Sequence, residues 1–200
     1  MIYVVSPKVP KDLRKVVDIE NSVIYACDSA VEELIKQGIR IDLAIGDFDS
    51  LSDKSLLKDI KVITLSKMKD DSDTAYALRH AYQHSDNVIL VGGLQGKRID
   101  HLVANLLLLE KYPELTIIDD MNKINRLEKG IYNIKRTHFK YLSIFPFEDS
   151  TITLEGTLYP LDHEKLFMYD VIGLSNEFIR DDVLLEVHEG TILLILSNEK

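Results

Sequence analysis

The segment that decides the fold spans residues 43–50 and reads Leu43-Ala44-Ile45-Gly46-Asp47-Phe48-Asp49-Ser50. Its apolar start predicts a buried strand, and Gly46 allows the backbone to turn out of that strand. Asp47 and Asp49 then follow the carboxyl end of the strand, where open α/β sheets bind their ligands. Because side chains alternate along an extended backbone, an extended segment would direct both carboxylates to the same side.

Two carboxylates held close together repel each other, and a bound cation relieves that repulsion. Oxygen ligands suit Mg²⁺, which commonly takes one or two carboxylates together with substrate phosphates. The same residues are equally compatible with a polar turn in which Asp49 or Ser50 caps the next helix. Taken alone, the segment leaves both interpretations open.

The composition is that of an acidic globular protein. The chain has 200 residues, 46% of them hydrophobic, and a formal net charge of −9. An acidic chain without a run of Lys and Arg is a poor candidate for sequence-independent binding of nucleic acid. Cys27 is the one cysteine, which excludes an internal disulfide framework and a cysteine-rich zinc site. Neither a leader nor an apolar membrane-spanning window is evident, so we expect a soluble cytoplasmic protein.

Two different patterns follow one another along the chain. Up to about residue 120, strand-like apolar runs alternate with helical patterns, which predicts an α/β domain with a doubly wound, mostly parallel sheet over residues 1–120. Short strand-like runs separated by turn-prone pairs then predict a smaller all-β sandwich or barrel domain over residues 121–200. The predicted strands of this second domain are Gly130 to Lys135, Tyr141 to Phe145, Thr151 to Leu154, Val183 to Val187 and Ile192 to Leu196.

Four polar clusters follow predicted strands of the first domain. Because loops at the carboxyl ends of a doubly wound sheet open at one edge, we expect these clusters to meet there. The clusters are Asp28-Ser29, residues 47–50, Lys69-Asp70-Asp71-Ser72-Asp73, and Gly92-Gly93-Leu94-Gln95-Gly96-Lys97-Arg98-Ile99-Asp100-His101.

The residues of these clusters suit phosphoryl transfer, which needs carboxylates for a divalent metal, basic groups for phosphates and accurate positioning. Gly93 and Gly96 let backbone N–H groups approach a phosphate at the start of a helix, and Arg98 can bind a phosphate bidentately. Simpler interpretations remain open, because residues 69–73 can form a solvated turn and Asp100 can cap its helix. The glycine-containing segment matches neither the Walker A pattern nor the dinucleotide-binding fingerprint.

The order of these segments resembles that of the thiamine pyrophosphokinase (thiamine diphosphokinase) family. The resemblance covers nearly the whole chain, with Ser29 and Lys97 at positions where the family has glycine and Ile41 where it has proline. In the first domain the similar segments are Asp28-Ser29-Ala30, residues 41–50, residues 69–73 and residues 93–101, followed by Ala104-Asn105-Leu106. In the second domain they are Tyr141-Leu142-Ser143-Ile144-Phe145-Pro146 and Gly173-Leu174-Ser175-Asn176-Glu177.

This resemblance implies transfer of diphosphate from ATP to the hydroxyl of thiamine, with Mg²⁺ as the cofactor and AMP as the second product. It implies that the metal-binding and catalytic carboxylates are Asp47, Asp49, Asp73 and Asp100. It implies contacts with ATP or its phosphates from Asp28, Lys69 and Arg98, and contacts with thiamine from Ser175 and Asn176. It also implies a homodimer in which thiamine lies between the first domain of one subunit and the second domain of the other.

Three other functions remain open on the sequence. A haloacid-dehalogenase-type phosphatase would use Asp47 as its nucleophile, although that motif normally follows the first strand of the chain. A related diphosphokinase acting on another alcohol, such as a pterin alcohol, would have similar carboxylate loops, and a nucleotide-sensing module would bind without catalysis. Because thiamine carries a cationic ring and the chain has no Trp, we expect a Tyr or Phe of the second domain to stack on the substrate.

Overall fold

The structure, a computed structural model, describes residues 1–66 and 71–199. The chain divides into two compact units, Met1–Asp120 and Met121–Lys200. The first unit is a mixed α/β domain with a parallel sheet, and the second is an antiparallel β domain, so the predicted fold class is confirmed. Within the described residues, no helix has both the length and the apolar character needed to cross a membrane.

The first unit contains a parallel sheet and the helices that connect its strands. Its described strands are β1 (Ile2–Val5), β2 (Val23–Cys27), β3 (Leu43–Gly46), β4 (Val62–Thr64), β5 (Val88–Val91) and β6 (Thr116–Ile118). Its described helices are α1 (Leu13–Val16), α2 (Ala30–Lys36), α3 (Asp73–Tyr82) and α4 (Ile99–Lys111), with a 3₁₀ helix at Lys54–Leu57. The strands lie in the order β4-β3-β2-β1-β5-β6, and all neighbouring pairs are parallel.

Helices cover both faces of this sheet, which explains why β1 and β3 are buried along their whole length. On one face, Ala26 of β2 packs in a cluster with Val31 and Leu34 of α2. On the other face, the ring of Tyr25 lies 5.5 Å from the ring of His80 in α3. The strand order reverses between β1 and β5, and doubly wound sheets bind ligands at the carboxyl ends of the strands near such a reversal.

The second unit consists of antiparallel strands around one apolar core. The described strands are β7 (Asn122–Leu127), β8 (Gly130–Lys135), β9 (Tyr141–Pro146), β10 (Ser150–Glu155), β11 (Leu161–Leu166), β12 (Asn176–Glu177), β13 (Asp182–Glu189) and β14 (Ile192–Ser197). One group pairs in the order β12-β9-β14-β7 and the other in the order β11-β10-β13-β8. Both groups contribute to the same core, for example Leu142 of β9 and Leu185 of β13, as in a sandwich.

Candidate active site

The carboxyl ends of β2 and β3 approach each other closely at Gly46. A Cβ atom at this position would lie 3.1 Å from the Cα and 3.2 Å from the backbone N of Asp28. The backbone N of Asp28 donates to the carbonyl of Ile45 at 2.9 Å. The absence of a side chain at Gly46 therefore allows Asp28 to lie beside the turn that carries Asp47 and Asp49.

That turn is fixed by Phe48, whose side chain is buried in the core of the first unit. Its φ of +54° lies in the left-handed region, which is uncommon for a bulky residue and persists where surrounding contacts enforce it. The backbone between the two carboxylates is therefore not extended. Burial of the ring turns the chain instead, and the backbone N of Asp49 donates to Oδ1 of Asp47 at 3.2 Å.

Asp28, Asp47 and Asp49 form a compact group of carboxylates. Each offers one oxygen atom, and the three atoms all lie within 4.8 Å of one another. Asp28 and Asp47 are half-buried and Asp49 is exposed. Oδ2 of Asp28 accepts from the hydroxyl of Ser50 at 2.5 Å, while its Oδ1 is buried and accepts no hydrogen bond from any residue that the structure describes.

This donor set fits a hard divalent cation such as Mg²⁺, which prefers carboxylate oxygens. A buried carboxylate oxygen without a donor is costly unless a positive charge compensates it. The resemblance placed Asp28 among the contacts to ATP, but the geometry places it with the metal-capable pair. The signal in the sequence that could have shown this is Gly46, whose lack of a side chain makes the approach possible.

Asp73 is the first residue of α3, which begins at the same edge of the sheet. The hydroxyls of Ser6, directly after β1, and Thr74 are 2.9 Å apart and buried. The Sγ of Cys27, at the end of β2, lies 4.0 Å from the carbonyl oxygen of Asp73. The start of α3 therefore lies at the carboxyl ends of β1 and β2. Among the described residues, the metal-capable group does not include Asp73 or Asp100.

The glycine-containing loop after β5 is held against α4 by Asn105. The side-chain amide of this buried residue donates to the carbonyl of Gly93 at 2.9 Å. Gly93 has a φ of +74°, and a Cβ atom there would lie 2.6 Å from Nδ2 of Asn105. Gly96, further along the loop, has a φ of +136°. The sequence pattern included Asn105 without assigning it a role, and the structure shows that it positions the loop.

Arg98 and Asp100 form an exposed ion pair at the start of α4. Arg98 occupies the position before the helix, and Asp100 lies in its first turn. Nε of Arg98 donates to Oδ1 of Asp100 at 3.1 Å, and its second guanidinium nitrogen donates to Oδ2. The hydrogen bond from Arg98 lowers the pKa of Asp100, and the same contact raises the pKa of Arg98. Asp100 is therefore ionised and is a weak proton acceptor at neutral pH.

The remaining predicted site residues are Lys69, Ser175 and Asn176. Lys69 falls outside the described residues. In the second unit, Ser175 has a φ of +57°, and its backbone N donates to the hydroxyl of Ser143 at 2.9 Å. The next residue, Asn176, is buried, and both ends of its side-chain amide bond to the backbone of Tyr159.

A separate cavity of about 250 Å³ lies at the opposite edge of the first unit's sheet. It is lined by residues that precede β2 and β3, including Asn21, Arg40 and Asp42, and Arg40 pairs with Asp42 at 2.9 Å. None of the predicted site residues lines it. The carboxylates and the glycine-containing loop lie at the carboxyl edge of the sheet instead.

A parallel sheet with carboxylates at its carboxyl edge, beside a glycine-containing loop that enters a helix, is typical of nucleotide-dependent transferases of the α/β class. Comparison with protein families refines this class. The family described as thiamin pyrophosphokinase, catalytic domain, matches residues 15–119. The family described as thiamin pyrophosphokinase, vitamin B1 binding domain, matches residues 131–192. The chain therefore belongs to the thiamin pyrophosphokinase family, which confirms the resemblance seen in its motifs.

Similar proteins cover both units of the chain. The thiamine pyrophosphokinase of Bacillus subtilis (strain 168) is 28% identical over an alignment of 191 residues that covers 90% of this chain and 89% of the relative. A crystal structure of thiamine pyrophosphokinase from Bacillus subtilis matches with a TM-score of 0.89 and 29% identity, covering 100% of this chain and 99% of that one. A crystal structure of thiamin pyrophosphokinase from Geobacillus thermodenitrificans matches with a TM-score of 0.87 and 28% identity. The match covers 100% of this chain and 98% of that one. The chain is thus a diphosphotransferase, with ATP and thiamine as its substrates.

Proposed function

We propose that the chain transfers diphosphate from ATP to the hydroxyl of thiamine at the carboxyl edge of its parallel sheet, and that Asp28, Asp47 and Asp49 hold the Mg²⁺ ion of this reaction. The observation that carries the proposal is the convergence of three carboxylate oxygens within 4.8 Å. One of these carboxylates, Asp28, also has a buried oxygen that accepts no hydrogen bond from any described residue. When bound, Mg²⁺ supplies positive charge that offsets the charge of the ATP phosphates.

The protein contributes mainly positioning and charge to this transfer. A bond forms between the thiamine hydroxyl oxygen and the β-phosphorus, the bond from that phosphorus to the bridging oxygen of AMP breaks, and AMP leaves. Arg98 and Lys69 offset the negative charge on the phosphates. Asp100 orients the hydroxyl by accepting its hydrogen bond and takes up its proton late, because the transition state of phosphoryl transfer is loose.

Asp73 and Asp100 are proposed as further metal ligands in the presence of ATP. Asp73 begins α3 at the ends of β1 and β2, and Asp100 lies in the first turn of α4 after the glycine-containing loop. The loop itself, with Gly93 and Gly96, is proposed to contact the phosphates through backbone N–H groups. Ser175 is proposed to contact thiamine.

We also propose that the protein is a homodimer with thiamine between the first unit of one subunit and the second unit of the other. Each unit has an exposed apolar surface that supports this proposal. On α4, Ile99, Val103 and Leu107 recur at intervals of four residues and are 72%, 49% and 62% exposed. In the second unit, Tyr169 and Ile172 are 89% and 62% exposed. Contiguous exposed apolar residues are typical of interaction sites.

The decisive experiment incubates the purified protein with ATP, Mg²⁺ and thiamine, and follows AMP and thiamine diphosphate by mass spectrometry. We expect equal amounts of both products and none when thiamine or the metal is omitted. Release of inorganic phosphate from a phosphate ester, with phosphate attached to Asp47, would instead identify a phosphatase. Failure to form AMP with thiamine, but formation of AMP with a pterin alcohol, would identify the related diphosphokinase.

A further inference from the structure

Tyr159 is an exposed aromatic residue on a firmly held backbone. The residue is 65% exposed. Its backbone N donates to Oδ1 of Asn176 at 3.0 Å, and its carbonyl accepts from Nδ2 of Asn176 at 2.6 Å. Pro160 follows, and proline restricts the preceding residue to extended conformations. The side chain is therefore exposed to solvent, while the conformation of its backbone is restricted.

A short antiparallel pairing ties this backbone to the Ser175-Asn176-Glu177 segment. The backbone N of Leu158 donates to the carbonyl of Glu177 at 2.9 Å. One residue further out on each side, Thr157 and Phe178 form a bridge. Tyr159 is thus fixed beside the segment whose motif resembles the thiamine-binding half of the family.

Asn176 uses its whole side chain to hold this arrangement. It is 5% exposed, and besides its two bonds to Tyr159 it donates to Oγ1 of Thr157 at 3.2 Å and accepts from the backbone N of Glu177 at 3.0 Å. An amide has two donor hydrogens and two acceptor positions, and all four are engaged. Asn176 therefore positions Tyr159 and has no hydrogen-bonding capacity left for a ligand.

Other aromatic residues of the second unit are less suited to a cationic substrate. The ammonium of Lys140 lies 4.5 Å from the ring centroid of Tyr141, and that of Lys165 lies 5.2 Å from the ring centroid of Phe167. A ring face that already has a cation over it repels a second one. Tyr169 lies within a turn closed by hydrogen bonds between Phe167 and Asp170, and not in the segment paired with Ser175-Asn176-Glu177.

We infer that Tyr159 is the aromatic residue that stacks on the cationic heteroaromatic ring of the substrate, and that Asn176 is its positioning residue. This inference rests on the proposed function, since the cationic ring is the thiazolium of thiamine. The chain's net charge of −9 and the carboxylate of Glu177 in the same segment favour a positive ligand over a neutral one. Stacking by a partly exposed tyrosine contributes about tenfold in affinity.

The test compares Tyr159→Ala with Tyr159→Phe in steady-state kinetics. We expect Tyr159→Ala to raise KM for thiamine about tenfold, while kcat and KM for ATP change less than about twofold. Tyr159→Phe retains the aromatic face and should retain the thiamine KM. Ile131→Ala, at a residue of β8 that is 69% exposed and has no proposed role, is the control and should behave as the unaltered protein. An analogue with a neutral ring in place of the thiazolium should lose affinity for the unaltered protein but much less for Tyr159→Ala.

A fluorescence measurement separates this inference from the proposed function. Because the chain has no Trp, Tyr159→Trp introduces one reporter, and its emission should be quenched by thiamine in the absence of ATP. Quenching without any AMP formation by the unaltered protein would support the inference and overturn the proposed function. An unchanged thiamine KM in Tyr159→Ala, in a protein that does form AMP, would overturn the inference alone. A changed oligomeric mass of Tyr159→Ala together with a normal thiamine KM would also overturn the inference, because Tyr159 would then be a contact between copies of the chain.

Discussion

Among single residues, Asp47 has the most direct proposed role, because it links the strand β3 to the group of metal-capable carboxylates. Replacing Asp47 by Asn removes one negative charge while conserving size. We expect kcat to fall on the order of a hundredfold or more, the scale for loss of one electrostatic group at a reacting centre. The variant should also need more Mg²⁺ for half-maximal AMP formation.

The matched control is Asp86→Asn, which removes an exposed carboxylate from the loop before β5 and should leave both quantities unchanged. Near-normal AMP formation by Asp47→Asn would remove this residue from the mechanism.

Gly46 sets the spacing between Asp28 and the turn of Asp47. In Gly46→Ala the new Cβ would lie 3.1 Å from the Cα of Asp28, so the ends of β2 and β3 must separate by a few tenths of an ångström. Because small misplacements of catalytic groups are costly, we expect kcat to fall about tenfold or more. Gly38→Ala is the control, since it adds a Cβ at a φ of +63° with no atom within 4 Å and should lower stability without lowering kcat.

Equal kcat values in Gly46→Ala and Gly38→Ala would contradict the proposed role of Asp28. The measurement is steady-state AMP formation, with thermal unfolding recorded for both variants to separate activity from stability.

The sequence made the position of Asp47 and Asp49 predictable, because an apolar run followed by Gly46 shows where a buried strand ends. The sequence also predicted that Asp28 lies at this edge, but its close approach to the pair could not be predicted in the same way. Its approach depends on a missing side chain at Gly46 and on a hydrogen bond from Ser50, which is 22 residues away. The conformation of Phe48 depends on burial in the core, and local pattern carries no information about that contact.

Among the elements, α3 and α4 are joined by an unusual tyrosine pair. The rings of Tyr82, the last residue of α3, and Tyr112, directly after α4, stack with centroids 4.5 Å apart. The hydroxyl of Tyr82 is buried and has no hydrogen-bond partner among the described residues. Burial raises the pKa of Tyr82 to about 12, with smaller contributions from Tyr112 and Glu114.

Tyr82→Phe should therefore leave the protein equally stable or more stable by up to about 1–2 kcal/mol at neutral pH, because it removes a buried polar group without a partner. The pH dependence has a definite sign. The folded pKa lies above the ordinary value of 10, so between pH 10 and about 12 the unfolded chain loses a proton that the folded chain retains, and stability falls as pH rises.

We expect this alkaline loss to be smaller in Tyr82→Phe than in the unaltered protein. Denaturant unfolding at neutral pH and above pH 10 measures it, and a clear loss of stability in Tyr82→Phe at neutral pH would show that the hydroxyl has a partner after all.

The elements of the first unit were easier to predict than those of the second for a physical reason. Buried parallel strands such as β1 and β3 are continuous apolar runs, which stand out against the helices between them. In contrast, β11 lies at the edge of its sheet and reads Leu-Asp-His-Glu-Lys-Leu, with four consecutive exposed residues. β11 is held by backbone hydrogen bonds to β10. Because such bonds do not depend on the side chains, the sequence of β11 shows no alternation of apolar and polar residues.

For the whole molecule, the proposed homodimer leads to a test on the exposed face of α4. Leu107→Lys places a charge on a residue that is 62% exposed, and a buried unpaired charge is strongly unfavourable at an interface. We expect this variant to run at monomer mass in size-exclusion chromatography with light scattering, and to lose affinity for thiamine. Ile35→Lys on α2, where Ile35 is 36% exposed, should remain dimeric. A monomeric unaltered protein that is fully active would contradict the proposal.

The burial of Phe48 connects the turn that carries the proposed metal ligands to the interior of the protein. Because its ring is part of the aliphatic cluster of the first unit, the distance between the carboxylates on either side is set by how tightly that cluster fills its volume. Replacing a leucine or valine of that cluster by a smaller residue would therefore change the spacing of the proposed metal ligands without contacting them. If the proposed metal site is right, homologues that work in colder or hotter habitats could differ in cation affinity through such aliphatic substitutions alone.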